Sequence, residues 1–580
     1  MFAGMARRKH TWVLLGLLSV LCPPIVSMLL FMRGDGYNPA LFSDWDEPYY
    51  IVLPQRMTTE SLRLPHEFLD ICLGYVIRVL QISPISLAFF LDLACSAGAF
   101  LGVFWFFKLV ANDRSERGTE GAVGAAVFMT LLPWSLSSVL FFLDQELRLA
   151  DFLVTFSHAG FPSTPVERAF YTQISWICFA GFLCLLSRIL ITRAVSWVHV
   201  ALLGILLGAA LYIYFFLWAV LWFLLLFTVG LDWLLEQNAW KRGAMPRMIL
   251  ACCLGVLGAL PGLSILFPAG ALMKPGPAGD ILQNVAGIAF RDVWFFAPTV
   301  FALVLVLAVQ VVRNSRRQAT SSTRVLALFA LACLVGELLL MNAQPIVNRW
   351  LTPYHFALFY FHPLLTGLLV FVYVRWSSLA RVTLCCIFLI GPTFALGRYI
   401  VRSDVELPEV EVLRYIDTQL PKGALVFTSP FGPKWSPLRG DVSYNLMPYW
   451  IDALTDVTSS SRLLGYESDR EGVVQREIAT AWVLSGKPSL LAECPDLPLS
   501  LQGNDLMNGV RTYFLMQRAV DCRLYNALNE RATWQPPWPV GSALFLVLPN
   551  DDHTWDQRIA GAEELWRSSG GVYKIVRIVT

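Results

Sequence analysis

Charge is what this sequence has least of. Only 15% of its 580 residues are Asp, Glu, Lys or Arg, against 56% hydrophobic residues and a mean hydropathy of +0.57. That balance excludes a soluble globular protein of ordinary composition and leaves a polytopic membrane protein. The formal net charge of +2 says nothing of a nucleic-acid surface, and no nucleic acid is expected among the partners. Asn-x-Ser/Thr sequons are absent, which favours a bacterial envelope over a secretory pathway that glycosylates. Cysteine is scarce where a disulfide could form: of 12 cysteines only Cys494 and Cys522 follow residue 398, and an oxidising compartment would permit them to pair. The others lie in or near apolar segments, where a thiol behaves as a small hydrophobe. Also missing are an internal repeat, a small-residue cleavage pattern after the first apolar run and, in the C-terminal part, any glycine-rich phosphate cradle or nucleophile motif.

What is present is a succession of apolar runs. Arg7, Arg8, Lys9 and His10 precede the run Trp12 to Met32, which reads as a signal anchor with its basic end in the cytoplasm. Further spans are predicted at 84–107, 121–142, 171–190, 197–213, 214–233, 247–266, 293–312, 325–341, 357–374 and 382–398, about eleven in all. The stretch 197–233 is too long for one span, so it is divided at Leu211 to Phe215. With that division every connection predicted cytoplasmic is basic: Lys108, Arg114 and Arg117; Arg188 and Arg193; Lys241, Arg242 and Arg247; Arg313, Arg316 and Arg317; Arg375 and Arg381. The expected architecture is a polytopic α-helical membrane domain, residues 1–398, with its first outer loop at 33–83, followed by an extracytoplasmic soluble α/β domain, residues 399–580. Net charge is positive before the boundary and negative after it. In the second part, Leu425–Thr428, Ala543–Leu548 and Val572–Val579 read as strands, and Val410–Leu420 and Val474–Leu484 as helices. A lid or docking role suits this domain, which shows no motif of its own.

The densest chemistry follows the first span. In SDWDEPYY, Ser43 to Tyr50, the carboxylates Asp44, Asp46 and Glu47 crowd among Trp45, Tyr49 and Tyr50. Acids so close repel one another, and they persist through solvation, a bound cation or a reaction needing a base there. Three acids at a helix exit are most often a solvated loop. Apart from any resemblance, Arg349 reads more readily as a snorkelling interfacial residue than as a phosphate ligand, and His355 and His362, seven apart, have the spacing of two helical turns, which could place them on one face, more often a structural arrangement than a catalytic one. Asp92, Asp232 and Glu337 are the clearest acids in or beside spans.

The stretch DEPYYIVLPQRM, with Asp-Glu directly before Pro-x-Tyr after one N-terminal span, resembles the first outer loop of the C-type (GT-C) integral-membrane glycosyltransferases. It is closest to the branch of protein O-mannosyltransferases and lipid A aminoarabinose transferases. NRWLTPYHFALFYFHPLL, Asn348 to Leu365, is similar to the basic-then-Pro segment before a late helix in these enzymes, and GGVYKIVRIV, ending at Val579, to the close of their outer domains. The resemblance implies an inverting transfer of a hexose or pentose from a polyprenyl-phosphate donor to a hydroxyl of a lipid, glycan or protein acceptor, with membrane lipids around it. Asp46 would be the general base and Glu47 its orienting partner. Arg349, His355, Arg56 and Tyr50 would bind donor phosphate or substrate, and Asp44 with Asp46 forms a D-x-D suited to Mg²⁺ or Mn²⁺. The other class open to the sequence is a non-catalytic transporter or flippase of a lipid-linked glycan, which would place ionisable groups near mid-span.

Overall fold

A computed structural model of the chain describes residues 2–33, 36–37, 51, 65, 67–111, 115–131, 171–266, 306, 321–341, 356–376, 379, 382, 384, 386, 388, 408–428, 447–460, 479, 483, 538, 542–550 and 562–579. Helices dominate the first part: α1 (Phe2–Arg33), α2 (Glu67–Leu80), α3 (Pro84–Ala111), α4 (Glu116–Leu131), α5 (Tyr171–Thr192), α6 (Trp197–Ile213), α7 (Phe215–Leu235), α8 (Ala244–Leu266), α9 (Ser321–Met341) and α10 (His362–Trp376). Six stretches, His10–Arg33, Pro84–Ala111, Thr172–Thr192, Phe215–Leu235, Ala244–Ile265 and Thr323–Leu340, are long and apolar enough to cross a membrane; Trp197–Ile213 and Phe359–Arg375 are shorter apolar helices. This supports a membrane location, with six such helices among the described residues against the eleven spans expected. The span expected at 293–312 lies outside the described residues apart from Val306, and α4 is described only to Leu131.

Contacts between helices fix their directions. On α3 and α5, Asp92 pairs with Gln173, and a Cβ at Gly102 would lie 2.7 Å from the Cβ of Ala180, so the two run parallel. On α4 and α10, a Cβ at Gly121 would meet the ring of Phe371 and one at Gly367 would meet Met129, so these run antiparallel. Helices α6 and α8 run parallel in tight contact: a Cβ at Gly208 would lie 3.2 Å from the Cα of Gly258. The break between α6 and α7 falls at Tyr214, extended at φ −163° and ψ 119°, inside the expected interval. Neither glycine nor proline makes it. The Tyr214 ring instead packs against Phe216 and Phe359, so tertiary contacts hold the chain open there. Two ends of the bundle can therefore be named, the Pro84 end and the Ala111 end.

The C-terminal part is a small sheet with helices α11 (Pro408–Gln419) and α12 (Met447–Leu454). Its strands are β1 (Leu425–Thr428), β2 (Thr458–Ser459), β3 (Ala543–Pro549), β4 (Glu563–Arg567) and β5 (Tyr573–Val579), in the order β2-β1-β3-β5-β4. β1 pairs in parallel with β2 and β3; β5 is antiparallel to β3 and β4. Period-two alternation divides β3 between two cores: Phe545 and Val547 join Val412, Leu413 and Ile416 of α11, while Leu544, Leu546 and Leu548 join Ala479, Val483 and Trp538. Pro408 opens α11, with Glu409 and Glu411 in its first turn, as a helix N-terminus favours. The first of these cores continues without interruption into the bundle, taking in Phe31 of α1, Leu73 and Ile77 of α2, and Ile85 and Phe89 of α3. The Tyr37 hydroxyl donates to Asp417 of α11 at the same junction. The sheet thus docks on the Pro84 end.

Candidate functional site at the Pro84 end

A layer of polar side chains, buried or half-buried, crosses the bundle near this end. Most of its members stand near the ends of their helices, where termini leave room and unpaired backbone groups for polar side chains; half-buried Asp92 sits more than two turns into α3. Gln173, in the first turn of α5, donates to Asp92 of α3. Two residues on, Ser175 accepts from the Tyr360 hydroxyl at 2.9 Å, and the Tyr360 ring packs edge-on against Phe179. His362 opens α10 and meets Glu337, one turn before the end of α9, at 2.8 Å between Nε2 and Oε1. Among the described residues, the second ring nitrogen of His362 and the Thr366 hydroxyl one turn along find no hydrogen-bond partner. In α2, the carboxylate-bearing Glu67 and Asp70 are buried completely.

The segment before His362 has an unusual shape. Ala357–Phe361 forms a π turn, a conformation that recurs at functional positions and widens the helical repeat. His355 lies outside the described residues, so a face shared by His355 and His362 is not tested; His362 is the partner of Glu337.

The opposite end differs in chemistry. There the Asp232 carboxylate, buried, lies 3.2 Å from Arg193 Nε and 3.1 Å from Arg324 Nε, and Arg193 also reaches Glu236 at 3.5 Å. Arg324 donates to the Leu190 carbonyl and Arg247 to that of Val195. Every acid in this network faces a guanidinium, so it reads as a clamp joining α5, α7 and α9. The Pro84 layer, by contrast, combines carboxylates with an amide, hydroxyls and an imidazole, a set able to hold a polyhydroxylated headgroup or move a proton.

Asp44, Asp46, Glu47, Tyr50, Arg56, Arg349 and His355 all lie outside the described residues, as do Cys494 and Cys522. Their chain neighbours are placed. Tyr37 is tied to α11 by its hydroxyl, Ile51 is fully buried in the cluster that joins bundle and sheet, and Phe356 packs edge-on against Phe216 at the start of α7. All three stand at the Pro84 end. Among the described residues, no group of three His, Cys, Asp or Glu is placed to hold a metal ion.

Sequence reasoning did not single out Glu67, Asp70, Gln173, Ser175 or Tyr360. A signal existed for the first two: they fall on the 67, 70, 73, 77 stripe with Leu73 and Ile77, so the acids are in phase with the apolar face of their helix. For the others no local signal exists, because each is defined by a partner on another helix. No family model and no curated protein matches the chain.

Proposed function

We propose that the chain is an inverting membrane glycosyltransferase that moves a sugar from a polyprenyl-phosphate donor to a hydroxyl acceptor at the outer face of a bacterial inner membrane. In this reading eleven spans cross the bilayer, the Ala111 end is cytoplasmic and the C-terminal domain is extracytoplasmic. The observation that carries it is the polar layer of the Pro84 end, together with the chain neighbours of the candidate residues that stand there. Asp46 is five positions before buried Ile51, so its backbone lies within about 18 Å of that anchor by chain reach alone. Basic residues at the other end, Lys108, Arg193, Lys241, Arg247 and Arg375, agree with a cytoplasmic assignment.

The chemistry is a single displacement. The acceptor oxygen attacks the anomeric carbon, the bond from that carbon to the phosphate oxygen breaks, and polyprenyl phosphate leaves with the bonding pair. Asp46 takes the hydroxyl proton and Glu47 orients it. Arg349, Arg56, His355 and Tyr50 steady the negative charge that grows on the departing phosphate. Asp44 with Asp46 and the phosphate oxygens would suit Mg²⁺ or Mn²⁺, and rates unchanged by exhaustive chelation would remove Asp44 from a ligand role.

Purified protein in proteoliposomes, offered a panel of polyprenyl-phosphate sugars and membrane-extract acceptors, tests the reading. Release of polyprenyl phosphate coupled to a glycosylated product is expected. Movement of an intact lipid-linked glycan across the bilayer, with no bond broken, would replace it by transport. That second reading draws on the Glu337–His362 pair, an ionisable couple buried among membrane helices.

A further inference from the structure

Helix α2 is amphipathic the wrong way round for a helix standing in water. Its inward face holds Glu67, Asp70, Leu73, Gly74 and Ile77, all buried. The outward face holds Phe68 at 50% exposure, Tyr75 at 67% and Val79 at 58%, with exposed Cys72 between them. Positions 68, 72, 75 and 79 follow the spacing of one helical stripe, so the exposure is a continuous apolar strip along the helix. At 14 residues the helix is about 21 Å long, too short to cross the roughly 30 Å hydrocarbon core.

The strip is continuous with the outward surface of two membrane helices. The Phe68 ring lies 6.0 Å, edge-on, from that of Tyr212 at the Pro84 end of α6, and a Cβ at Gly262 of α8 would lie 3.3 Å from Pro65. Below that junction α6 and α8 present Leu202, Ile205, Leu257 and Leu260, all exposed, the surface that a bilayer covers if these helices are membrane-embedded. We infer that α2 lies in the membrane interface at the Pro84 end, with its Phe68, Cys72, Tyr75 and Val79 strip in the acyl and headgroup boundary of a phospholipid bilayer. The same orientation turns Glu67 and Asp70 into the protein and away from the acyl boundary that an outward-facing carboxylate on this helix would meet. Arg78, whose Nε bonds the Gly74 carbonyl, stands in the last turn among Val79 and Leu80, placed to reach a lipid phosphate. Nothing in this depends on the chain being a glycosyltransferase.

The test uses the full chain in phospholipid nanodiscs. Spin labels are placed one at a time at Cys72 and at Phe68→Cys, Tyr75→Cys and Val79→Cys in a background free of other cysteines. Ile205→Cys serves as lipid reference and Lys422→Cys as aqueous reference. All four α2 positions are expected to favour collision with oxygen over a water-soluble nickel chelate, as Ile205 does. A preference for the chelate, matching Lys422, would overturn the inference; so would protection from both reagents, which would mean a protein cover. Should the cysteine-free background fail to fold, the unaltered chain is labelled in nanodiscs with a photoactivatable phospholipid and mapped by mass spectrometry. Adducts in the peptide containing residues 67–80 are expected, and their absence while the peptide containing Ile205 is labelled would overturn the inference.

Discussion

Asp232 shows how a single residue holds this bundle. Its carboxylate is 1% exposed and faces Arg193 and Arg324, which are themselves nearly buried. Two guanidiniums near one another inside an apolar protein repel, and the acid between them turns the repulsion into a clamp. Replacing it by alanine leaves both cations uncompensated in low dielectric, and a loss of about 3 kcal/mol is expected. Glu236, which reaches Arg193 at 3.5 Å from a more exposed position, should cost about 1 kcal/mol or less when removed. Equilibrium unfolding in mild detergent of Asp232→Ala beside Glu236→Ala reads the difference; equal effects would mean that Asp232 is not the centre of the clamp. At this scale the sequence was partly legible. Asp92, Asp232 and Glu337 stood out against apolar runs, but their pairings did not, because Gln173 and His362 lie 81 and 25 residues away on other helices.

Among elements, α8 carries a proline and a neighbour that serves the groups around it. Pro261 lies inside the helix and brings no N–H to its ladder, and the Tyr212 hydroxyl of neighbouring α6 accepts from the Gly262 N–H at 2.9 Å and donates to the Gly258 carbonyl at 3.1 Å, the two groups that an i to i−4 bond would join. A hydroxyl in that position satisfies both groups where a proline disturbs the ladder, which matters most in an apolar medium. Tyr212→Phe should therefore cost about 2 kcal/mol in the same unfolding measurement, far more than the loss of an exposed hydroxyl. No change would show that water reaches these groups instead. The apolar helices that are described were legible because an apolar run has a length limit, and that limit placed the α6–α7 break correctly without a glycine or proline to mark it. Helix α2 was not: at 14 residues, with Glu67 and Asp70 on its buried stripe, it resembles neither a span nor an ordinary surface helix. In the sheet, β1, β3 and β5 showed as apolar runs, whereas two-residue β2 and the polar edge strand EELWR of β4 carry no such pattern.

For the molecule as a whole, the junction between bundle and sheet matters most. One buried cluster runs from Phe31, Leu73 and Phe89 to Val412, Ile416, Val426 and Ile575, so the two parts share a core where independent domains would each close their own. A chain ending before Pro408 would expose the bundle's half of that core, and it is expected to aggregate on extraction or to melt well below the full chain; an equally stable monodisperse product would show that the sheet is only appended. Of the candidate site, the sequence indicated a stretch and not a geometry. The density of acids in SDWDEPYY and the charge of later loops pointed to an outer end; those acids lie outside the described residues, and their chain neighbours Tyr37 and Ile51, with Phe356, stand at the Pro84 end. The layer of Asp92, Gln173, Ser175, Tyr360, Glu337 and His362 forms only when helices distant in sequence assemble.

The proposal that sugar transfer occurs at this end rests most heavily on Asp46. The direct measurement is transfer from polyprenyl-phosphate sugar by Asp46→Asn, inserted and folded as the wild type by its chromatographic profile and melting temperature. Loss of a general base predicts a fall in rate of about 10²- to 10⁴-fold with donor binding retained. Transfer at the wild-type rate would contradict the assignment.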